Sequence, residues 1–356
     1  MQLDRNLGKS LTRVLIVDDS PTMRLLLRKV LEADPEIDVV GAAGDAYEAR
    51  QAIKALNPDV VTLDIEMPGM DGLAFLRKIM ALRPMPVVMV SSLTDRGAKC
   101  AIEAMSIGAV DCIGKPTGGD LQAGMSPLRQ IIKTAARARV RQFQPPQKPS
   151  VGAGLSPGSE AREFDPSKVI AIGASTGGVE ALCEILRDWP RNCPPTLIVQ
   201  HMPAQFTPSF AARLNQISGA VVSEAEDQAR LESGRVYLAP GGDYHLKLET
   251  RAGLRCRLFR GEAVNGHRPS ADVLFESVAP LGDRGVGLIL TGLGSDGAKG
   301  LKSMRDAGAQ TIGQDKESCT VYGMPRAAHA CGAVARQLPL ERIAAATLDL
   351  CIQRRR

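Results

Sequence analysis

Ser175 stands in Gly173-Ala174-Ser175-Thr176-Gly177, a G-x-S-x-G segment. The apolar run Val169 to Ile172 precedes it and a helical run, Val179 to Trp189, follows. A sharp strand-to-helix turn exposes a serine hydroxyl, and small flanking residues let the backbone make that turn. The new helix brings unpaired N–H groups near the hydroxyl, so the backbone around Thr176 could hold an oxyanion. The plainer alternative is a Gly-rich turn in which Ser175 only caps the helix. A hydroxyl nucleophile needs a base, and the chain has four histidines. His201 ends the apolar run Thr196 to Gln200 and so reaches the same sheet edge as Ser175. His267, in a loop before Arg268-Pro269-Ser270, ranks next. His245 falls in a predicted hairpin and His329 on a predicted helix. A histidine base needs an orienting carboxylate, and Asp296 follows the apolar run Val286 to Leu290. Ser175, His201 and Asp296, from three strand ends, then fit nucleophile, base and orienter, with no metal required. Their chain order differs from the Ser-Asp-His of α/β-hydrolases, which predicts a different fold for the same chemistry.

A second set of chemical residues lies nearer the N-terminus. Asp18-Asp19, Asp64, Ser91-Ser92 and Lys115-Pro116 each follow a short apolar run. Ligands of doubly wound sheets bind at the carboxyl ends of the strands, so these groups share one crevice. Clustered carboxylates repel one another and call for a cation, and hard oxygen ligands suit Mg²⁺. A carboxylate beside Mg²⁺ can accept a phosphoryl group, with Lys115 and Ser91 holding its oxygens. Helix capping by single aspartates is the bland reading, but it does not explain matching groups at four strand ends.

The elements that must position these residues can be read from the pattern. In the N-terminal part, β-branched runs (Val14 to Val17, Val39-Val40, Val60 to Leu63, Val87 to Val90, Val110 to Ile113) alternate with helical stretches. Continuous apolar strands separated by helices predict a parallel sheet covered on both faces, here a (βα)5 unit. The C-terminal part predicts a doubly wound, mostly parallel α/β domain. Gly241-Gly242, between Val236-Tyr237-Leu238 and His245 to Leu248, reads as the turn of an inserted hairpin. The Pro-, Gly- and Ser-rich stretch 144–160 is a linker. The predicted division is residues 11–125, a basic helix and linker over 126–165, and residues 166–356.

Composition narrows the function classes. Of the net charge of +5, much comes from Arg129, Lys133, Arg137, Arg139 and Arg141 and from the Arg354 to Arg356 tail. The remainder is slightly acidic, so no nucleic-acid face is implied. The eight cysteines form no CxxC pair, which fits buried free thiols in a reducing cytosol rather than disulfides or zinc. No apolar run reaches the roughly 18 residues of a membrane span. A cytoplasmic protein without membrane insertion is expected. Gly292-x-Gly294-x-x-Gly297, with Asp315 downstream, matches the dinucleotide fingerprint, but its strand falls late in the domain and that reading leaves Ser175 and His201 unused.

Residues 11 to about 125 resemble the receiver domain of two-component response regulators. The likeness rests on Val17-Asp18-Asp19-Ser20, the segment Leu63 to Gly72, Ser91-Ser92 and Lys115-Pro116. It implies that Asp64 is the phosphoacceptor, and that Asp18, Asp19, Asp64 and the backbone carbonyl of Glu66 bind Mg²⁺. One position departs from the pattern: Cys112, three residues before the lysine, replaces the usual aromatic and has no ring to rotate. The second domain and the domain order resemble the chemotaxis protein-glutamate methylesterases. Ile172 to Gly178, Gln200-His201-Met202-Pro203, Leu238 to Gly242, His267 to Phe275 and Leu290 to Ala298 carry that likeness. The family often has Met where this chain has Leu293. The resemblance implies a phosphorylation-regulated serine hydrolase that demethylates glutamate methyl esters on chemoreceptors, releasing methanol, and deamidates receptor glutamines. It places the catalytic residues on Ser175, His201 and Asp296, and implies methyl-accepting receptors and a chemotaxis histidine kinase as partners. The fusion further predicts that the unphosphorylated receiver restrains the hydrolase. The competing class, a response regulator whose second domain binds DNA, finds no helix-turn-helix pattern.

Overall fold

A computed structural model describes residues 11–67, 69–91, 94–115, 126–140 and 163–353. The stretch 144–160, Pro68, Ser92, Pro116 and the Arg354 to Arg356 tail lie outside them. The chain divides into two units, each built on its own parallel sheet.

Residues 12–114 alternate strand and helix: β1 (Thr12–Val17), α1 (Pro21–Glu32), β2 (Ile37–Ala43), α2 (Ala46–Leu56), β3 (Val60–Asp64), α3 (Gly72–Leu82), β4 (Val87–Ser91), α4 (Asp95–Ile107) and β5 (Asp111–Gly114). The sheet order is β2-β1-β3-β4-β5, with every pair parallel. β3 and β4 are buried along their whole length, as apolar runs covered on both faces must be. Helix starts follow their caps: Ser20 precedes Pro21, and the Asp45 side chain accepts from Tyr47 and Glu48 N–H. The basic stretch forms α5 (Ser126–Ala135). Its Leu128, Ile132 and Ala135 join the core formed by Val14, Ile16, Leu27 and Leu31. Its Lys133 pairs with Asp34 and Glu36 at 2.8 and 3.1 Å, so that lysine lies against acids of its own unit.

The second unit begins with β6 (Val169–Ala174), α6 (Gly178–Arg187), β7 (Thr196–Gln200), α7 (Thr207–Ile217), β8 (Val221–Glu224) and β9 (Arg235–Leu238). The hairpin β10 (His245–Glu249) and β11 (Arg255–Phe259) follows, then α8 (Ala271–Val278) and β12 (Gly285–Ile289). The chain ends through α9 (Ala298–Asp306), β13 (Gln310–Gln314), α10 (Met324–Ala330), β14 (Arg336–Leu338) and α11 (Leu340–Asp349). The order β14-β13-β12-β6-β7-β9-β8 is parallel throughout. A hairpin is inserted, but not where the glycines suggested. Gly241-Gly242 does not turn β9 back on β10, because β9 runs parallel between β7 and β8. β10 instead pairs antiparallel with β11, across residues 250–254. None of the eight cysteines is in a disulfide, and six of them are buried. Among the described residues no helix is long and apolar enough to cross a membrane.

Candidate active site

Ser175 follows β6, His201 follows β7 and Asp296 lies in the loop after β12. Because β6 sits between β7 and β12, the serine strand is flanked by the strands that carry the other two residues. Two backbone bonds lock the strand ends, from Ser175 N–H to Thr291 O and from His201 N–H to Ala174 O, both 3.0 Å. The loop from β12 presses against the serine: a Cβ on Gly292 would sit 2.7 Å from Ser175 Cβ, so only glycine fits there. Thr291 Oγ1 donates to Thr176 O at 3.0 Å, tying that loop to the turn after β6. Leu293 lies in the same loop.

Asp296 is buried and its oxygens are crowded with donors. Oδ2 accepts from His201 Nε2 at 2.9 Å and from Ala271 N–H at 2.6 Å. Oδ1 accepts from Ser270 Oγ at 2.6 Å and Asn265 Nδ2 at 2.9 Å. The carboxylate thus sits at the N-terminus of α8, where the helix end favours negative charge. Burial works to raise the Asp296 carboxyl, but the hydrogen bonds from His201 and Ser270 outweigh it and hold the group well below the usual carboxylate range. An ionised Asp296 can only accept, so His201 Nε2 must carry the proton of that bond. In the neutral ring Nδ1 is then the acceptor, and it is buried with no hydrogen-bond partner among the described residues. Serine proteases present the ring the other way round, with Nδ1 toward the acid.

The other histidines separate clearly. His245 is buried, bonding Glu262 O through Nε2 and receiving Ser270 N–H on Nδ1. His267, the second-ranked base, makes no bond to Asp296; its ring lies flat on that of His201. His329 is on α10. Asn265, Ser270 and the helix end at Ala271 were not singled out from sequence, although Asn265-Gly266 is a strong turn signal. The glycines of 292–297 serve the Asp296 loop, which removes the ground for a dinucleotide fingerprint.

In the first unit, Asp18, Asp19 and Asp64 offer carboxylate oxygens that all lie within 4.8 Å of one another. Asp18 and Asp64 are buried and Asp19 is exposed. Lys115 Nζ lies 2.7 Å from Asp64 Oδ2 and 3.1 Å from Asp18 Oδ2. Beyond that ion pair, Asp18 Oδ2 receives no well-directed hydrogen bond among the described residues, which leaves a buried carboxylate oxygen able to take a hard cation. Burial pushes the Asp64 carboxyl up, with the Lys115 hydrogen bond opposing and the Asp18 charge adding to the rise. Ser91 is buried at the end of β4. Glu66 donates its N–H to Asp64 Oδ1 at 3.3 Å. Cys112 is buried in β5, where burial pushes its thiol up.

Residues 170–347 match the family described as CheB methylesterase, and residues 14–123 match the response regulator receiver domain. Over 349 residues, 96% of this chain and 99% of the relative, the sequence is 57% identical to protein-glutamate methylesterase/protein-glutamine glutaminase 1 of Caulobacter vibrioides. The chain belongs to the CheB methylesterase family. A second relative, the protein-glutamate methylesterase/protein-glutamine glutaminase of Agrobacterium fabrum, is 56% identical over 97% of this chain and 98% of its own length. The crystal structure of the Thermotoga maritima CheB methylesterase catalytic domain covers 51% of this chain and 98% of that domain, at 38% identity and a TM-score of 0.50. The parallel sheet of the second unit is therefore that of a CheB methylesterase catalytic domain, and the chain joins it to a receiver domain.

Proposed function

We infer that this chain is a chemotaxis response regulator that hydrolyses glutamate methyl esters on chemoreceptors, releasing methanol, and deamidates receptor glutamines. The observation that carries the site assignment is the buried, partnerless Nδ1 of His201, on a ring whose other nitrogen is held by Asp296. Ser175 Oγ attacks the ester carbonyl while His201 Nδ1 takes its proton. Backbone N–H groups near Thr176, at the N-terminus of α6, receive the charge that develops on the carbonyl oxygen. Asp296 keeps the imidazole in the right tautomer and stabilises the imidazolium. His201 then returns the proton to the departing methoxide oxygen, which leaves as methanol, or, when the substrate is a glutamine, to the departing amide nitrogen, which leaves as ammonia. Water, activated by the same base, releases the glutamate product.

The regulatory half rests on the acidic crevice, with residues 11–125 as the receiver and 166–356 as the hydrolase. Asp64 would be the phosphoacceptor. Asp18, Asp19, Asp64 and the Glu66 carbonyl would hold Mg²⁺, which neutralises charge on the incoming phosphoryl group. Lys115 and Ser91 would steady its oxygens, and a chemotaxis histidine kinase would supply it.

Two measurements test this reading. A serine-directed acylating reagent should label Ser175, and Ser175→Ala should release no methanol from methylated receptor; activity at the parent rate in that variant would sink the triad. Stimulation by a phosphodonor should disappear in Asp64→Asn, whereas a stimulated Asp64→Asn would place the phosphoacceptor elsewhere.

A further inference from the structure

The segment 264–270 touches both members of the pair that acts on Ser175. Val264 and His267 exchange backbone hydrogen bonds at 3.0 and 2.9 Å, closing a two-residue turn over Asn265 and Gly266. Both central residues adopt positive φ, 53° and 79°, which is the turn that Asn-Gly forms most readily. From one corner Asn265 Nδ2 reaches Asp296 Oδ1 at 2.9 Å and Asp272 Oδ2 at 2.7 Å. From the next, the His267 ring stacks on His201 with centroids 3.7 Å apart and planes 7° from parallel. Arg268 pins the segment through Gly242 O and Gly261 O, each at 2.7 Å.

One hydrogen bond does not fix an imidazole. The bond from Nε2 to Asp296 sets one atom of the His201 ring but leaves the ring free to tilt about that contact. A flat partner on one face removes the tilt. We propose that His267 is a positioning residue: its ring, laid on His201 by the Asn265-Gly266 turn, holds the base in the plane that keeps Nε2 on Asp296 and Nδ1 open. This rests on the triad reading above. Burial pushes His267 down to about 4, with the His201 charge adding and Asp296 opposing. At neutral pH the stacking ring is thus uncharged and does not repel the imidazolium that forms when His201 takes the serine proton. His267 is not a reserve base, since among the described residues no carboxylate bonds its ring and its face is committed to the stack.

The test uses the full chain and methylated receptor, comparing His267→Ala, His267→Gln and His267→Phe with the parent. Misplacing a reacting group by an ångström can cost on the order of a hundredfold. His267→Ala and His267→Gln should therefore lower kcat roughly 10- to 100-fold with KM within about twofold, and slow acylation of Ser175 in step. His267→Phe, which restores a flat face without ring nitrogens, should recover kcat to within about threefold of the parent. Parent-like kcat in His267→Ala, a raised KM with kcat unchanged, or His267→Phe as impaired as His267→Ala would each overturn the proposal. If His267→Ala melts far below the parent, the Gln and Phe variants, both of which fill the space, decide alone. Ser175→Ala in the same assay separates the two levels: turnover there at the parent rate would refute the triad whatever the His267 series gives.

Discussion

The two sites occupy the same place in two parallel sheets and resolve buried carboxylate charge in opposite ways. In the receiver crevice, Asp18 and Asp64 lie side by side and share an ion pair with Lys115, and Asp18 Oδ2 receives no well-directed hydrogen bond among the described residues. In the esterase site, the single carboxylate of Asp296 accepts from His201, Ser270, Asn265 and Ala271. The first arrangement is incomplete by construction and suits a group that must take up a cation and a phosphoryl and release them again. The second is saturated and suits a group whose charge must not move during a catalytic cycle. Electrostatic preorganisation belongs where chemistry repeats many times, and unsatisfied charge where a signal is to be written and erased.

The largest effect expected from breaking that contrast is at the saturated site. Asp296→Asn should cost about 10⁴ in kcat, because the amide no longer fixes the tautomer of His201. Methanol release under saturating substrate measures it, and a loss below tenfold would mean that Asp296 is not the orienter. Next comes the coupling between the sites. Deleting residues 1–160 should raise basal esterase activity, within the roughly 5- to 150-fold range usual for coupled sites. A folded fragment no more active than the full chain would show that the receiver does not restrain it.

At the unsatisfied site the effects are smaller and depend on pH. A carboxyl pushed up by burial protonates earlier as pH falls, so phosphoacceptance by Asp64 should fade at a higher pH than for an ordinary aspartate. Asp18→Asn removes one charge that raises Asp64. It should weaken Mg²⁺ binding about tenfold or more while moving the acid limb of phosphorylation, measured at saturating Mg²⁺ with a small acyl phosphate, to lower pH. A limb that stays in place would mean burial alone sets it. Asn265→Ala removes the bonds to Asp296 and Asp272 and should cost about 1.5 kcal/mol in kcat, roughly tenfold, the low end for losing a hydrogen bond to a charged group. The smallest change is Leu293→Met, a volume-conserving swap expected to alter kcat/KM less than about threefold.

Much of this was readable from sequence, for a physical reason. Ser175, His201, Asp18 and Asp64 each follow a mostly apolar run, and in a parallel sheet such runs all end on one edge. Asp296 lies beyond Leu290 by a glycine-rich loop and was legible for the same reason. The pattern failed where contacts are non-local or strands are short and mixed. Asn265 and Ser270 bond a residue 31 and 26 positions away, and no local spacing announces that. β14 is three residues, mostly exposed, and Gly313 interrupts β13, so neither reads as an apolar run. Gly241-Gly242 imitated a hairpin turn because two short apolar segments flank it, although the first pairs in parallel with strands before it in the chain.

The Asp296 carboxylate also stands in for the cap that Ser270 does not supply to α8, since the Ser270 hydroxyl turns to Asp296 instead. Asp296 is therefore a stitch between two stretches of the fold, and removing it loosens the scaffold as well as the chemistry proposed for it. An Asp296 variant is for that reason a poor inactive control. Ser175→Ala, which deletes one oxygen and leaves every bond of the stitch in place, is the chain to use for trapping a receptor in the site.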